Sequence, residues 1–169
     1  LGNILVDMGR LDEAIEHFQK AADAGEHPAR AHINLGNTYR RMGFSQRAIW
    51  QYGKAIKLNK HDGLLIKRAV TVPVIYQSLD HIYKTRESLS KNVKQLLKEK
   101  LSVEDPALET STTNFFLAYQ NQNNRDLQRV IAKVHLKSCQ RLGWSAPHCR
   151  TLKKTQGKIK IGFISGYFR

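Results

Sequence analysis

Leu1-Gly-Asn-Ile-Leu5 and Leu35-Gly-Asn-Thr-Tyr39 are two copies of one pattern, set 34 residues apart. Gly9 and Gly43, Ala14 and Ala48, Ile15 and Ile49, Phe18 and Tyr52, Lys20 and Lys54, and Ala21 and Ala55 repeat at the same interval without a gap. A fixed period of this length marks a stack of supersecondary units and outweighs local propensity in deciding the fold. In the second copy Ile33, Leu35, Gly36 and Tyr39 share one helical face, and Met42-Gly43-Phe44 reads as a turn. Ala48, Ile49, Tyr52, Ala55 and Ile56 then recur at three- and four-residue steps. The spacing predicts two antiparallel helices per copy, with Ser45 as N-cap of the returning helix.

The pattern resembles the tetratricopeptide repeat, in which small residues at Gly2 or Gly36 and at Ala14 or Ala48 let paired helices approach while Leu, Tyr and Phe fill the gap. Two departures stand out in this sequence: His32 occupies the usual Trp position and Lys60 the usual terminal Pro. About 1.7 repeats are present, and since roughly three are needed to bury a continuous core, the array is expected to continue upstream of Leu1. Arrays of this kind offer a groove lined by the first helix of each pair. Asn3, Asn34 and Asn37 fall on those first helices, and an Asn amide donates and accepts at once, matching a peptide unit whatever its side chain. They are the candidate acceptor-peptide groove; the competing reading is a solvated position or a bond to the next repeat.

After Asn59 the period is no longer visible. Pro73, inside Ala69-Val-Thr-Val-Pro-Val-Ile-Tyr76, ends any helix begun near Asp62. From a Ser78 N-cap, apolar residues from Leu79 through Ile82, Leu89, Val93 and Leu97 to Leu101 predict one amphipathic helix reaching about Lys100. Asp105-Pro106 breaks the pattern. Asn114-Phe-Phe-Leu-Ala-Tyr119 reads as a short buried strand or extended segment whose aromatics belong to the core. Asn123-Asn124-Arg125-Asp126 opens a further helix running to about Arg141, stopped by Gly143. Lys158-Ile-Lys-Ile-Gly-Phe-Ile-Ser165 alternates like the opening strand of an α/β domain, which implies further sheet downstream.

The charge is uneven. Residues 1–60 hold nine basic and six acidic side chains, 61–105 eight and six, and 106–169 eleven and two, and none after Asp126 is acidic. Such a basic third favours an anionic partner. It lacks interleaved exposed aromatics and any nucleic-acid module, which argues against RNA or DNA. No stretch approaches the about 20 apolar residues of a membrane span, and the first residues do not read as a secretory signal. Cys139 and Cys149 are too few for a disulfide framework, so a reducing cytoplasm is expected. His135, Cys139, His148 and Cys149 could be assembled into a metal site on paper. A buried Cys and a helix-edge His are the commoner outcome, and no metal is expected.

Four segments in order carry a wider likeness: the Leu-Gly-Asn repeats, Pro73-Val-Ile-Tyr-Gln-Ser78 with its long helix, Asn114-Phe-Phe-Leu-Ala-Tyr-Gln120 followed by Asn124-Arg-Asp-Leu-Gln128, and Lys158-Ile-Lys-Ile-Gly-Phe-Ile-Ser-Gly-Tyr-Phe-Arg169. Together they resemble the bacterial tetratricopeptide-repeat glycosyltransferases related to protein O-linked N-acetylglucosamine transferase and the SPINDLY proteins. The resemblance implies a mainly α fold: repeat hairpins over 1–60, a connector and long amphipathic helix over 61–102, a linker with one helix over 103–157, and the first strand of a truncated α/β glycosyltransferase domain over 158–169. It implies a region that presents acceptor proteins or peptides to an enzyme moving N-acetylglucosamine from UDP-GlcNAc to Ser or Thr. The family's His would lie beyond Arg169, so no catalytic or cofactor residue is carried over. Gly166-Tyr167 stands where the eukaryotic enzymes place an Asp. Lys153, Lys154, Lys158 and Lys160 would suit a nucleotide diphosphate, or a solvated linker before a strand. The rival reading is a non-catalytic repeat adaptor that docks partner proteins.

Overall fold

The computed structural model describes residues 1–147 and is helical, with no strand among those residues. The strand expected at 158–165 and its lysines lie outside the described residues. Helix α1 (Gly2–Asp7) pairs with α2 (Leu11–Asp23), and α3 (Pro28–Arg41) with α4 (Ser45–Leu58). Both pairs close identically. Gly9 at φ +76° and Gly43 at φ +85° take the left-handed conformation that only glycine adopts without strain, and the amides of Arg10 and Phe44 donate to Leu5 O and Tyr39 O. This early closure corrects one expectation: Phe44, not Ser45, is the N-cap of α4, and Ser45 is its buried first residue.

Close approach within each pair rests on the two glycines of the repeated motif. A Cβ on Gly2 would stand 2.5 Å from the Phe18 ring, and one on Gly36 2.4 Å from Tyr52. Leu5, Ala14, Phe18 and Leu35 form the core between the first pair and α3; Ala48, Tyr52, Ala55 and Leu64 form the next. His32, at the position where these repeats usually carry Trp, is buried with its Nδ1 2.8 Å from Gln51 Oε1, so a polar pair fills the site with both partners satisfied.

The backbone keeps the period after the sequence has lost it. Helix α5 (Asp62–Val70) begins 34 residues after α3 and packs on α4 as α3 packs on α2. It therefore takes the place of the first helix of a third unit. Thr71 then leaves in extended conformation, ahead of the buried Val72 and Pro73.

From there a second core takes over, built on Ile66 and Val70 of α5, Leu89, Val93 and Leu96 of α6 (Leu79–Leu96), and Leu127, Ile131 and Val134 of α7 (Arg125–Ser138). Ser78 caps α6 as expected, its Oγ accepting from the His81 amide. The helix stops short of Lys100 because Leu101 and Val103 turn into this core, Val103 N donating to Ser138 O. Leu79, expected on its apolar face, remains exposed. A one-turn helix at Pro106–Thr110 is capped by Asp105, whose Oδ1 accepts from the amides of Ala107 and Leu108. Asp105→Ala is expected to lower stability by about 1 kcal/mol, measured by urea unfolding.

Two other expectations are corrected. Phe115–Gln120 is a 3-10 helix, not a strand, with Leu117 and Gln120 buried and Phe115 and Tyr119 exposed. Its three-residue period puts only every third side chain inward. Helix α7 ends at Ser138, followed by a 3-10 turn to Gly143, and the Asn124 side chain does not cap it.

Candidate groove and the residues around it

The first helices α1, α3 and α5 succeed one another in the array, and the three candidate asparagines stand on the first two. Asn3 is exposed on α1; Asn34 and Asn37 are half-buried on α3. Arg41 Nη1 donates to Val6 O at 2.9 Å, tying the end of α3 to α1.

The two motif asparagines are not equivalent. Tyr52 Oη donates to Asn37 Oδ1 at 2.9 Å, while Phe18, which holds the same place in the first copy, has no hydroxyl to offer Asn3. Asn37 is thus partly committed to holding the buried tyrosine. Burial keeps the Tyr52 phenol above its ordinary pKa, so it is a neutral donor at pH 7. The main-chain carbonyl of Asn34 accepts from Thr38 Oγ1.

Two basic residues join this group that the sequence reading did not single out. Lys67 of α5 is 4% exposed, with its ammonium 5.6 Å from the centre of the Tyr52 ring. Burial, and secondarily the Arg40 guanidinium, push its pKa down to about 8. Arg40 of α3 donates from Nη2 to Ser111 O at 3.4 Å, and its buried Nε has no hydrogen-bond partner. The third-unit register of α5 was the signal that could have placed Lys67 on a first helix, but no motif residue of the repeat survives there to show it.

Two of the four segments that carried the wider likeness, Pro73–Ser78 with its long helix and Asn114–Gln120 with Asn124–Gln128, meet in one polar network. Arg86 of α6 donates to Gln120 Oε1 and Asn124 Oδ1, each at 2.6 Å, and to Asn123 O at 2.7 Å. Gln120 Nε2 donates to Tyr76 Oη, and Asn124 Nδ2 to Leu117 O. Tyr76, Gln120 and Asn124 therefore lock the 3-10 helix and the start of α7 onto α6. Their role here is structural.

Elsewhere the geometry is less convergent. An open cleft of about 420 Å³ between α5 and α6 has Arg68, His81, Lys84 and Glu99 along its walls, charges of both signs without a common focus. No group of three or more His, Cys, Asp or Glu that could hold a metal exists among the described residues. Cys139 is buried with Sγ 3.7 Å from Glu104 O, and His135 is held below its ordinary pKa by burial. His148 and Cys149 lie outside the described residues. Among the described residues no helix is long and apolar enough to cross a membrane.

Comparison with protein families matches residues 2–43 to a TPR repeat family and residues 29–62 to a tetratricopeptide repeat family. Comparison with curated proteins and with solved structures gave no significant match. The second family match runs to the first residue of α5, in keeping with the 34-residue register of that helix. Residues 2–62 carry tetratricopeptide repeats, and such repeats point to a role in binding protein partners.

Proposed function

We propose that the repeats bind extended polypeptide along α1, α3 and α5, with Asn3 and Asn34 holding its backbone, and that they deliver it as acceptor to a glycosyltransferase domain using a nucleotide sugar such as UDP-GlcNAc. The observation that carries the binding surface is the placement of amide-bearing side chains on successive first helices: Asn3 exposed on α1 and Asn34 half-buried on α3. The transferase assignment rests on the sequence likeness of the four ordered segments. Asn37, occupied with Tyr52, contributes through its Nδ2 side only.

Binding of a fluorescent, unstructured Ser/Thr-rich peptide to the Asn3→Ala/Asn34→Ala variant tests the groove. Loss of two amide pairs worth about 1 kcal/mol each corresponds to about 30-fold weaker binding, with unfolding unchanged. Unaltered affinity would sink the groove assignment. The transferase reading is tested on the endogenous protein by peptide mapping past Arg169 and by sugar transfer from UDP-GlcNAc. A chain without an α/β domain there would leave the adaptor reading in its place.

A further inference from the structure

We propose that the exposed face of α7 is a docking surface for an anionic lipid bilayer, a ladder of cations taking the headgroups and the apolar side chains beside it entering the interface. The inference is independent of the groove.

Arg125, Arg129, Lys133, Lys137 and Arg141 follow one another every four residues, and all five are exposed. The first four stand on α7 and Arg141 in the 3-10 turn behind it. A step of four residues advances a helix by about 6 Å and turns it by about 40°. The four cations of α7 therefore form one winding stripe about 18 Å long, on the side away from the buried Leu127, Ile131 and Val134. Among the described residues no carboxylate lies within salt-bridge distance of any of the five. Lys137 Nζ donates to Leu97 O, at the end of α6. Asp126, the one acid of α7, lines a cleft on the α6 side together with Arg86, Glu87 and Lys94. Glu104 stands at the other end of the helix, where its main-chain carbonyl accepts from Cys139 Sγ. Residues 148–169 add six Lys or Arg and no Asp or Glu.

Charge alone would suit any polyanion, and the apolar side chains decide between them. Leu136 is exposed seven residues after Arg129, on the same line of the helix. Leu142 and Trp144 follow it, exposed, the indole by 74%. Phe115, which shares a shallow hollow with Gln128 of α7, and Tyr119 are exposed as well. An aliphatic side chain set among cations gains nothing from a phosphate backbone in water. At a bilayer it enters the boundary between headgroups and acyl chains while Lys and Arg hold the anionic headgroups, and Trp favours that depth. Phe115 and Tyr119 meet edge to face at 89°, so they offer no parallel platforms to successive bases of a nucleic acid.

Co-sedimentation of the full chain with vesicles tests this, using equal parts phosphatidylserine and phosphatidylcholine against phosphatidylcholine alone. The wild type and the Lys20→Gln/Lys57→Gln control, which removes the same charge from exposed positions of α2 and α4, are expected to bind the anionic vesicles and not the neutral ones. Arg129→Gln/Lys133→Gln is expected to bind them about 30-fold more weakly, at about fivefold per cation. No binding to anionic vesicles, or equal weakening of both double variants, overturns the proposal. In Trp50→Phe, Trp144 is the single remaining tryptophan, and anionic vesicles are expected to shift its fluorescence to the blue. Unshifted emission from vesicle-bound protein would mean that the apolar side chains stay in water, and overturns the lipid assignment. Tighter binding of single-stranded oligodeoxythymidine than of the vesicles, lost in Arg129→Gln/Lys133→Gln, would give the face to nucleic acid and overturn it too.

Discussion

Gly36→Ala is expected to destabilise the protein by about 2 kcal/mol, although alanine is the better helix former by about 1 kcal/mol. The new Cβ would lie 2.4 Å from Cε1 and 2.6 Å from Cδ1 of Tyr52. That ring is fully buried, and its hydroxyl is tied to Asn37, so it cannot swing aside without giving up both packing and a hydrogen bond. Tyr52→Ala alone is expected to cost about 4 kcal/mol, the range for emptying an aromatic site in a close-packed core, with Asn37 Oδ1 losing its donor as well. In that background the sign of Gly36→Ala should reverse, because only the helix propensity is left. Urea unfolding of the four proteins gives the coupling directly. Additive costs would mean that α3 and α4 do not meet at this glycine.

Arg86→Ala carries the second large effect, a loss of about 3 kcal/mol. The substitution strips donors from Gln120, Asn124 and the Asn123 carbonyl at once, three acceptors of a charged group at 2.6–2.7 Å. Amide hydrogen exchange should report the loss locally: faster exchange in Phe115–Gln120 and the first turn of α7, with α1 to α4 keeping their protection. Loss of protection spread evenly over the repeats would show that Arg86 does not act where the geometry puts it.

The repeat region was legible because its rule is written in residue identity. Gly2, Gly36, Ala14 and Ala48 are small because another helix passes there, and the interval between copies states the register without any knowledge of the partner. Beyond Asn59 the physical constraint persists without the motif. Helix α5 holds its place by burying Leu64 against α4 and Ile66 and Val70 against the second core, positions that any apolar residue can fill, so periodicity in the sequence fades while the stacking continues. The 3-10 segment misled for a related reason. Asn114 to Tyr119 is rich in residues favoured in strands, but its conformation is set by Gln120 reaching Arg86 and Tyr76, contacts 34 and 44 residues distant that no local pattern carries. Of the candidate site, the asparagines were readable as a type and a position. The commitment of Asn37 to Tyr52, and the burial of Lys67 against that same ring, depend on packing between α3, α4 and α5 and were not.

The central claim is that α1, α3 and α5 together present the surface that binds polypeptide, and side-chain NMR tests it most directly. Titration with the Ser/Thr-rich peptide should shift the side-chain amides of Asn3 and Asn34 and the ammonium of Lys67, leaving Gln19 of α2 and the exposed Trp50 indole of α4 unmoved. Shifts at Gln19 and Trp50 with Asn3, Asn34 and Lys67 unchanged would place the partner on the second helices and contradict the account.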